Sequence, residues 1–289
     1  MKIKLIPVYE SLEIYLEKLE NKEQGANELW EQYAIAPYWK TLCQYAPMDL
    51  SDRKPVPITD SMILRQQIKQ LHTLDLEKLQ REFERIVSIL PNYDDDPIYV
   101  ALYPISDENW SVKERQNGVV GTSLFGNLII QINPLAMDYE QWIPYVFAHE
   151  YHHTVWGNYW FVNHGGELTN RFINSLVIDG EADSFSLSLY PKLKPKWLFS
   201  MSKQTEELLW KDVYSNLVEK TEVDYCKYMF GQEGSEIPWC AGYVIGFQIV
   251  QSYLKYHENI SFSELVEKRP EQILDESGYY STLEEIRNK

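Results

Sequence analysis

The chain has 289 residues with a formal net charge of −16, and 44% of its residues are hydrophobic. This length suffices for one large core or for two closely joined lobes. The negative charge argues against nucleic acids and anionic membranes as partners, because both bind basic surfaces. No run of about eighteen apolar residues is present, so we expect no membrane-spanning helix.

The cellular compartment is predicted from the N-terminal sequence and the cysteines. Residues 1–20 mix charged with apolar residues and lack the apolar core and the cleavage site of a signal peptide. The cysteines, Cys43, Cys226 and Cys240, are odd in number and far apart, which is not the pattern of a disulfide framework. These features predict a cytoplasmic protein. The sequence does not indicate an oligomeric state.

The N-terminal region, residues 1–96, is predicted to be helical. Two helices are expected within residues 8–46, and a proline-rich loop follows at residues 47–60. A broken apolar stripe then predicts one long helix from Ser61 to about Leu90.

The remaining region, residues 97–289, is predicted to be the catalytic domain, packed with the N-terminal helices as one unit. Strands are expected at residues 98–104 and, as one or two strands broken near Phe125–Asn127, at residues 118–134. Helices are then expected near residues 138–157, 168–189, 203–220, 240–256 and 261–268. A small sheet among segregated helices predicts the α+β fold class.

The motif H-E-x-x-H begins at His149 and lies in an apolar stretch that is expected to form a buried helix. Residues four apart share one face of a helix, so His149 and His153 can present both imidazoles to one metal ion. Glu150 would lie beside the metal and could accept a proton from the attacking water. This spacing predicts a zinc site with Glu150 as the general base. His152 and His164 are assigned supporting or structural positions.

A catalytic zinc ion needs a third protein ligand beside the two histidines. The next predicted helix offers Asp179, Glu181 and Asp183. Asp179 and Asp183 share its apolar face, whereas Glu181 is rotated by about 200° from Asp179 onto a more polar face, where we expect it to be solvated. We therefore predict Asp179 as the third ligand and Asp183 as the acid that orients a ligand histidine. Glu181 stays the alternative ligand, because glutamate is the commoner third ligand in such sites.

The sequence resembles the predicted zinc-dependent proteases of the DUF2268 (YjaZ-like) family, in the wider gluzincin group, in three segments: H-E-Y-H-H, Asp179–Asp183, and Ala-Gly-Tyr-x-x-Gly from Ala241 to Gly246. The resemblance covers about the C-terminal two-thirds of the chain. It implies a zincin-like fold, in which a small twisted sheet packs on the motif helix and a helical lobe follows. The family usually has glutamate where this chain has Asp179, and the shorter aspartate must approach the metal more closely.

These features predict a zinc metallopeptidase that hydrolyses peptides or unfolded proteins. Tyr243 is a candidate donor to the oxyanion that forms during hydrolysis, and a packing tyrosine is the alternative. The strand near Asn127–Ile132 is either the sheet edge that pairs with an extended substrate or a core strand. A zincin-fold protein that binds metal or a partner without turnover is the second possibility, suggested by the short Asp179. Glu150 favours an enzyme, because a binding site has no need of a base beside its ligands.

Overall fold

The computed structural model describes residues 2–22, 24–93, 96–166, 168 and 170–280. Its strands are β1 (Ile3–Pro7), β2 (Ile98–Pro104), β3 (Val119–Leu124) and β4 (Asn127–Ile132). Its helices are α1 (Leu12–Glu20), α2 (Ala26–Trp30), α3 (Ala36–Leu42), α4 (Ser61–Leu71), α5 (Leu76–Ile89), α6 (Tyr139–Gly157), α7 (Phe172–Leu189), α8 (Lys203–Asp212), α9 (Ala241–Tyr256), α10 (Phe262–Val266) and α11 (Pro270–Ser277). The prediction of a mixed α+β class with a small sheet is confirmed.

The chain divides into two compact units, Met1–Thr154 and Val155–Lys289, and the division falls within α6. The boundary between these units lies after Thr154, whereas the sequence predicts a division at residue 96. The strand β1 pairs with β2, so the N-terminal region contributes to the sheet of the first unit. The assignment of residues 97–289 as the catalytic region stays a prediction.

The sheet of the first unit has the strand order β1-β2-β4-β3 among the described residues. Strands β1, β2 and β4 run parallel, and β3 runs antiparallel to β4. The inner strands β2 and β4 are buried along almost their whole length. Of the two possibilities for Asn127–Ile132, the core strand is therefore correct and the substrate-pairing edge is wrong. The edge strand beside β4 is β3.

A two-residue turn joins β3 to β4 and sets their register. Phe125 and Gly126 both have positive φ angles, of 54° and 118°. Tight hairpin turns need this backbone conformation, which glycine adopts without strain. The flanking residues Leu124 and Asn127 pair directly, so the predicted break between the two strands is confirmed.

Two predictions for the N-terminal region are wrong. Residues Ile3–Pro7 form a strand, because they pair with β2 more than ninety residues later in the chain. The predicted long helix is interrupted after Leu71, and α5 starts anew where the carboxylate of Asp75 accepts a hydrogen bond from the backbone N–H of Lys78. Such an N-cap satisfies a backbone donor that an uninterrupted helix would bond internally.

The motif helix α6 is anchored in the first unit by aromatic side chains. The ring of Phe147 stacks on that of Phe83 from α5, with centroids 3.8 Å apart. The hydroxyl of Tyr151 donates to the carbonyl oxygen of Leu90 at 2.8 Å. These buried contacts fix the rotation of α6 and therefore the directions in which its polar residues point.

In the second unit, α7 and α9 cross at unusually short range. A Cβ atom on Gly180 would lie 2.2 Å from the carbonyl oxygen of Gly246, and one on Gly246 would lie 2.0 Å from that of Leu176. Both glycines are needed because no larger side chain fits between the two backbones. The helices bury Leu176, Ile245 and neighbouring apolar residues in one core.

A helix with both the length and the hydropathy to cross a bilayer is absent from the part of the chain that the structure describes.

The helix crossing generates a prediction for Gly180→Ala. Alanine normally stabilises a helix interior relative to glycine, but here the new methyl group would press on backbone atoms that cannot rotate away. We expect the melting temperature to fall by on the order of 3 °C or more. Gly157→Ala is the matched control, because a Cβ atom on Gly157 meets no atom within 4 Å. Equal melting temperatures for the two variants would contradict the close crossing.

Candidate metal centre

The two histidines of the motif present their ring nitrogens to one point. The Nε2 atoms of His149 and His153 lie 3.1 Å apart, and the ring planes are inclined at 84°. Two nitrogen ligands of a tetrahedral zinc ion lie about 3.3 Å apart, given Zn–N bonds of 2.0–2.1 Å. The spacing on α6 thus produces the geometry of two nitrogen ligands, as the helical periodicity predicts.

Glu150 extends from α6 toward the edge strand of the sheet. A Cβ atom placed on Gly121 of β3 would lie 2.2 Å from Cγ and 2.7 Å from Oε1 of Glu150. The glutamate side chain therefore fills the space that a side chain on Gly121 would occupy. It is half-buried, so its carboxylate lies at the rim of the sheet rather than in the core.

The three acids of α7 are all buried. Asp179 is 4% exposed, and Glu181 and Asp183 are fully inaccessible to solvent. The prediction that Glu181 lies on a solvated face is wrong. Helix α7 is packed on several sides and has no solvated face. Glu181, about 200° around the helix from Asp179, therefore faces other packed residues instead of solvent.

Burial has an electrostatic consequence for Glu181. Removal of the carboxyl from water raises its pKa well above the usual range, because the charged form loses its hydration. On the neighbouring helix α9, burial raises the pKa of Tyr253, and Glu276 and Glu181 add to this effect. Glu181 thus belongs to the interior of the second unit, next to α9.

Asp179 and Asp183 each accept a hydrogen bond from an aromatic residue outside α7. The hydroxyl of Tyr225 donates to Oδ2 of Asp179 at 3.4 Å. The indole Nε1 of Trp197 donates to both carboxylate oxygens of Asp183, at 3.1 and 3.3 Å. The sequence reasoning missed Tyr225 and Trp197. A buried acid signals that some donor must be near, but only the fold identifies which one.

Tyr243 lies in the first turn of α9 and is half-buried. Its ring packs against Phe230, with centroids 5.6 Å apart. Burial raises the pKa of its phenol well above 10, and the nearby carboxylate of Asp179 adds to the effect. A phenol is protonated at neutral pH even without this shift, so the hydroxyl can act as a hydrogen-bond donor.

Three of the predicted residues form a group that could hold a metal ion. One ligand atom each from His149, His153 and Asp179 lies within 4.8 Å of the others. Neither Glu181 nor Asp183 belongs to this group, which was found among the residues that the structure describes. Two imidazoles and a carboxylate are a ligand set that zinc accepts in catalytic sites.

The other two histidines of this part of the chain do not belong to the group. His152 is buried on α6. His164 is exposed, and its Nδ1 lies 2.8 Å from the carbonyl oxygen of Tyr159, which places it at the end of a helical turn.

Comparisons with known proteins identify the family. The family model described as "Predicted Zn-dependent protease (DUF2268)" matches residues 76–275. The chain is also 30% identical over 169 residues to "Uncharacterized protein YjfC" of Bacillus subtilis (strain 168). This match covers 54% of each protein, so the chain spans about half the length of this relative. No solved structure matches the chain. Because the family model covers more than half of its residues, the chain belongs to the DUF2268 family of predicted zinc-dependent proteases.

Proposed function

We propose that the protein is a zinc-dependent metallopeptidase with a zincin-like catalytic region. The observation that carries this proposal is the group of two imidazoles and one carboxylate with a glutamate next to the first histidine. A catalytic zinc site has three such ligands and an open fourth position. A family model that covers most of the chain supports the same function.

His149, His153 and Asp179 would hold the zinc ion in this proposal. When bound, zinc supplies a Lewis acid that lowers the pKa of water and polarises a carbonyl group. Asp183, whose carboxylate accepts a bifurcated hydrogen bond from the indole N–H of Trp197, is assigned to support the ligand shell. Outer hydrogen bonds of this kind orient the ligands of metal sites.

Glu150 is the proposed general base. Its carboxylate accepts a proton from the attacking water and passes it to the leaving amine. The phenol of Tyr243, whose pKa is raised by burial, is proposed to donate a hydrogen bond to the developing oxyanion. Tyr225 is a second candidate for this donor, since its hydroxyl already lies 3.4 Å from Asp179.

The proposed substrate is an extended peptide or an unfolded protein segment. The edge strand β3 is suited to pair with such a chain, because an edge presents backbone donors and acceptors. The carbonyl oxygen of Ser123, near the end of β3, already accepts a hydrogen bond from Arg53 at 3.0 Å and is less open to a substrate. We therefore expect a substrate to pair with β3 on the Gly121 side, where Glu150 lies.

We also propose that the protein acts in the cytoplasm. The three cysteines, Cys43, Cys226 and Cys240, are odd in number and far apart in the sequence, a pattern that suits a reducing compartment.

A metal-binding protein without turnover is the second candidate function. The observation that favours it is the aspartate at position 179, where the resemblance implies a glutamate. The shorter side chain changes the distance between α7 and the ion, and a displaced ion would catalyse poorly. A substitution of Glu150 separates the two functions, because only turnover needs a base.

The first prediction is that the purified protein carries about one zinc ion per chain through the histidine pair. His149→Ala and His153→Ala should each release the metal, because each removes a nitrogen ligand. Metal content measured by atomic emission on the purified variants tests this outcome. His164→Ala is the matched control and should keep the metal. Full zinc content in both ligand variants would overturn the proposal.

The second prediction separates the three acids of α7. Asp179→Ala should weaken zinc binding most, since an oxygen ligand is lost. Asp183→Ala should weaken it by roughly 10–100-fold, as for other outer-shell partners. Glu181→Gln keeps the side-chain volume and should leave zinc affinity unchanged. Titration of zinc into the chelator-stripped variants measures the order. If Glu181→Gln loses zinc while the two aspartate variants retain it, Glu181 is the third ligand instead of Asp179.

The third prediction concerns Glu150→Gln. The amide cannot accept the proton, so the rate of peptide hydrolysis should fall by roughly 10²–10⁴-fold. Zinc content should stay that of the parent, because Glu150 is not a ligand. A quenched fluorescent peptide library measures the rate. Cleavage at the parental rate by the zinc-loaded variant would exclude the proposed mechanism.

A further inference from the structure

We propose that Gly121 is a positioning residue for Glu150: its missing side chain leaves the space on the edge strand in which the glutamate lies. The effect of Gly121 on catalysis rests on the proposed peptidase function, in which Glu150 is the general base. The contact between Gly121 and Glu150 can be tested without that function.

The geometry leaves no room for a side chain at this position. A Cβ atom on Gly121 would lie 2.2 Å from Cγ, 2.8 Å from Cδ and 2.7 Å from Oε1 of Glu150. Non-bonded carbon atoms prefer separations of 3.5–4.0 Å, so all three distances are strongly repulsive. Rotation of the carboxylate alone cannot relieve the overlap, because Cγ makes the shortest contact. Glu150 would have to adopt another rotamer, or α6 would have to move away from β3.

The backbone of β3 gives no other reason for a glycine. Gly121 pairs with Ile130 in the regular antiparallel ladder of β3 and β4. Its φ angle is not in the positive range that favours glycine. Glycine in the interior of a strand costs conformational entropy and often marks a close approach of another group. The approaching group here is the side chain of Glu150.

The close approach of Gly121 limits the positions that the Glu150 side chain can take on the side of β3. Glu150 follows the ligand His149 directly, and the rotation of α6 is fixed by the packing of Phe147 and Tyr151. The open position at Gly121 then lets the glutamate extend along the edge strand. A displacement of about 1 Å in a catalytic group can reduce the rate by about 10²-fold. Any side chain at position 121 would cause a displacement of at least that size.

The steric contact is tested by a double-mutant cycle on stability. Gly121→Ala should lower the melting temperature by on the order of 3 °C in the parental protein. Glu150→Ala removes Cγ, Cδ and Oε1, so the same glycine substitution should be neutral or stabilising in that background. Equal destabilisation in both backgrounds would overturn the proposal, because the methyl group would then meet something other than Glu150.

The positioning role is tested on zinc-loaded protein with the quenched peptide library. Gly121→Ala should reduce kcat by on the order of 100-fold with little change in KM and with unchanged zinc content. Gly157→Ala, which adds a methyl group in open space on the helix that carries Glu150, should keep the parental kcat. Adding Gly121→Ala to Glu150→Ala should reduce kcat no further. A parental kcat for Gly121→Ala would overturn the positioning role.

The two experiments also distinguish the inference from the proposed function. A parental protein that binds zinc and cleaves no peptide would overturn the peptidase function alone. The stability cycle would still decide the contact between Gly121 and Glu150, since melting needs no substrate.

Discussion

The candidate site depends on the cost of burying polar groups in an apolar environment. Three imidazoles and four carboxyls lie buried or half-buried on α6 and α7, which are otherwise rich in apolar side chains. A buried charge is costly unless a partner compensates it. Indole and phenol donors from Trp197 and Tyr225 compensate part of this cost at Asp183 and Asp179. The proposed zinc ion would add a positive partner at Asp179 and the two motif histidines.

The same constraint explains how the scaffold positions the proposed base. Stacked aromatic rings in the first unit fix the rotation of helix α6 and hence the direction of the Cα–Cβ bond of Glu150. That direction leads to the edge strand β3, where Gly121 provides room. The proposed base thus lies beside the edge strand that we propose to bind an extended peptide. Rigid elements, rather than loops, carry Glu150 and its neighbour.

Local periodicity made part of the site predictable. His149 and His153 share a face because a helix repeats every 3.6 residues, and their Nε2 atoms do lie 3.1 Å apart. Long-range packing made the rest unpredictable. Glu181 is buried because α9 approaches within backbone contact at Gly180, which helix rotation alone does not reveal. Likewise, β1 exists only through pairing with a strand more than ninety residues away, and no motif marks Tyr225 or Trp197 as partners of the acids.

The most direct measurement is an anomalous difference map collected at the zinc absorption edge from crystals of the protein as purified. We expect one strong peak about 2.0–2.2 Å from Nε2 of His149, Nε2 of His153 and a carboxylate oxygen of Asp179. The carboxylate of Glu150 should lie beside the peak without bonding to it. A peak that lacks the two histidines, or one that is coordinated by Glu181 instead of Asp179, would contradict the proposed zinc site.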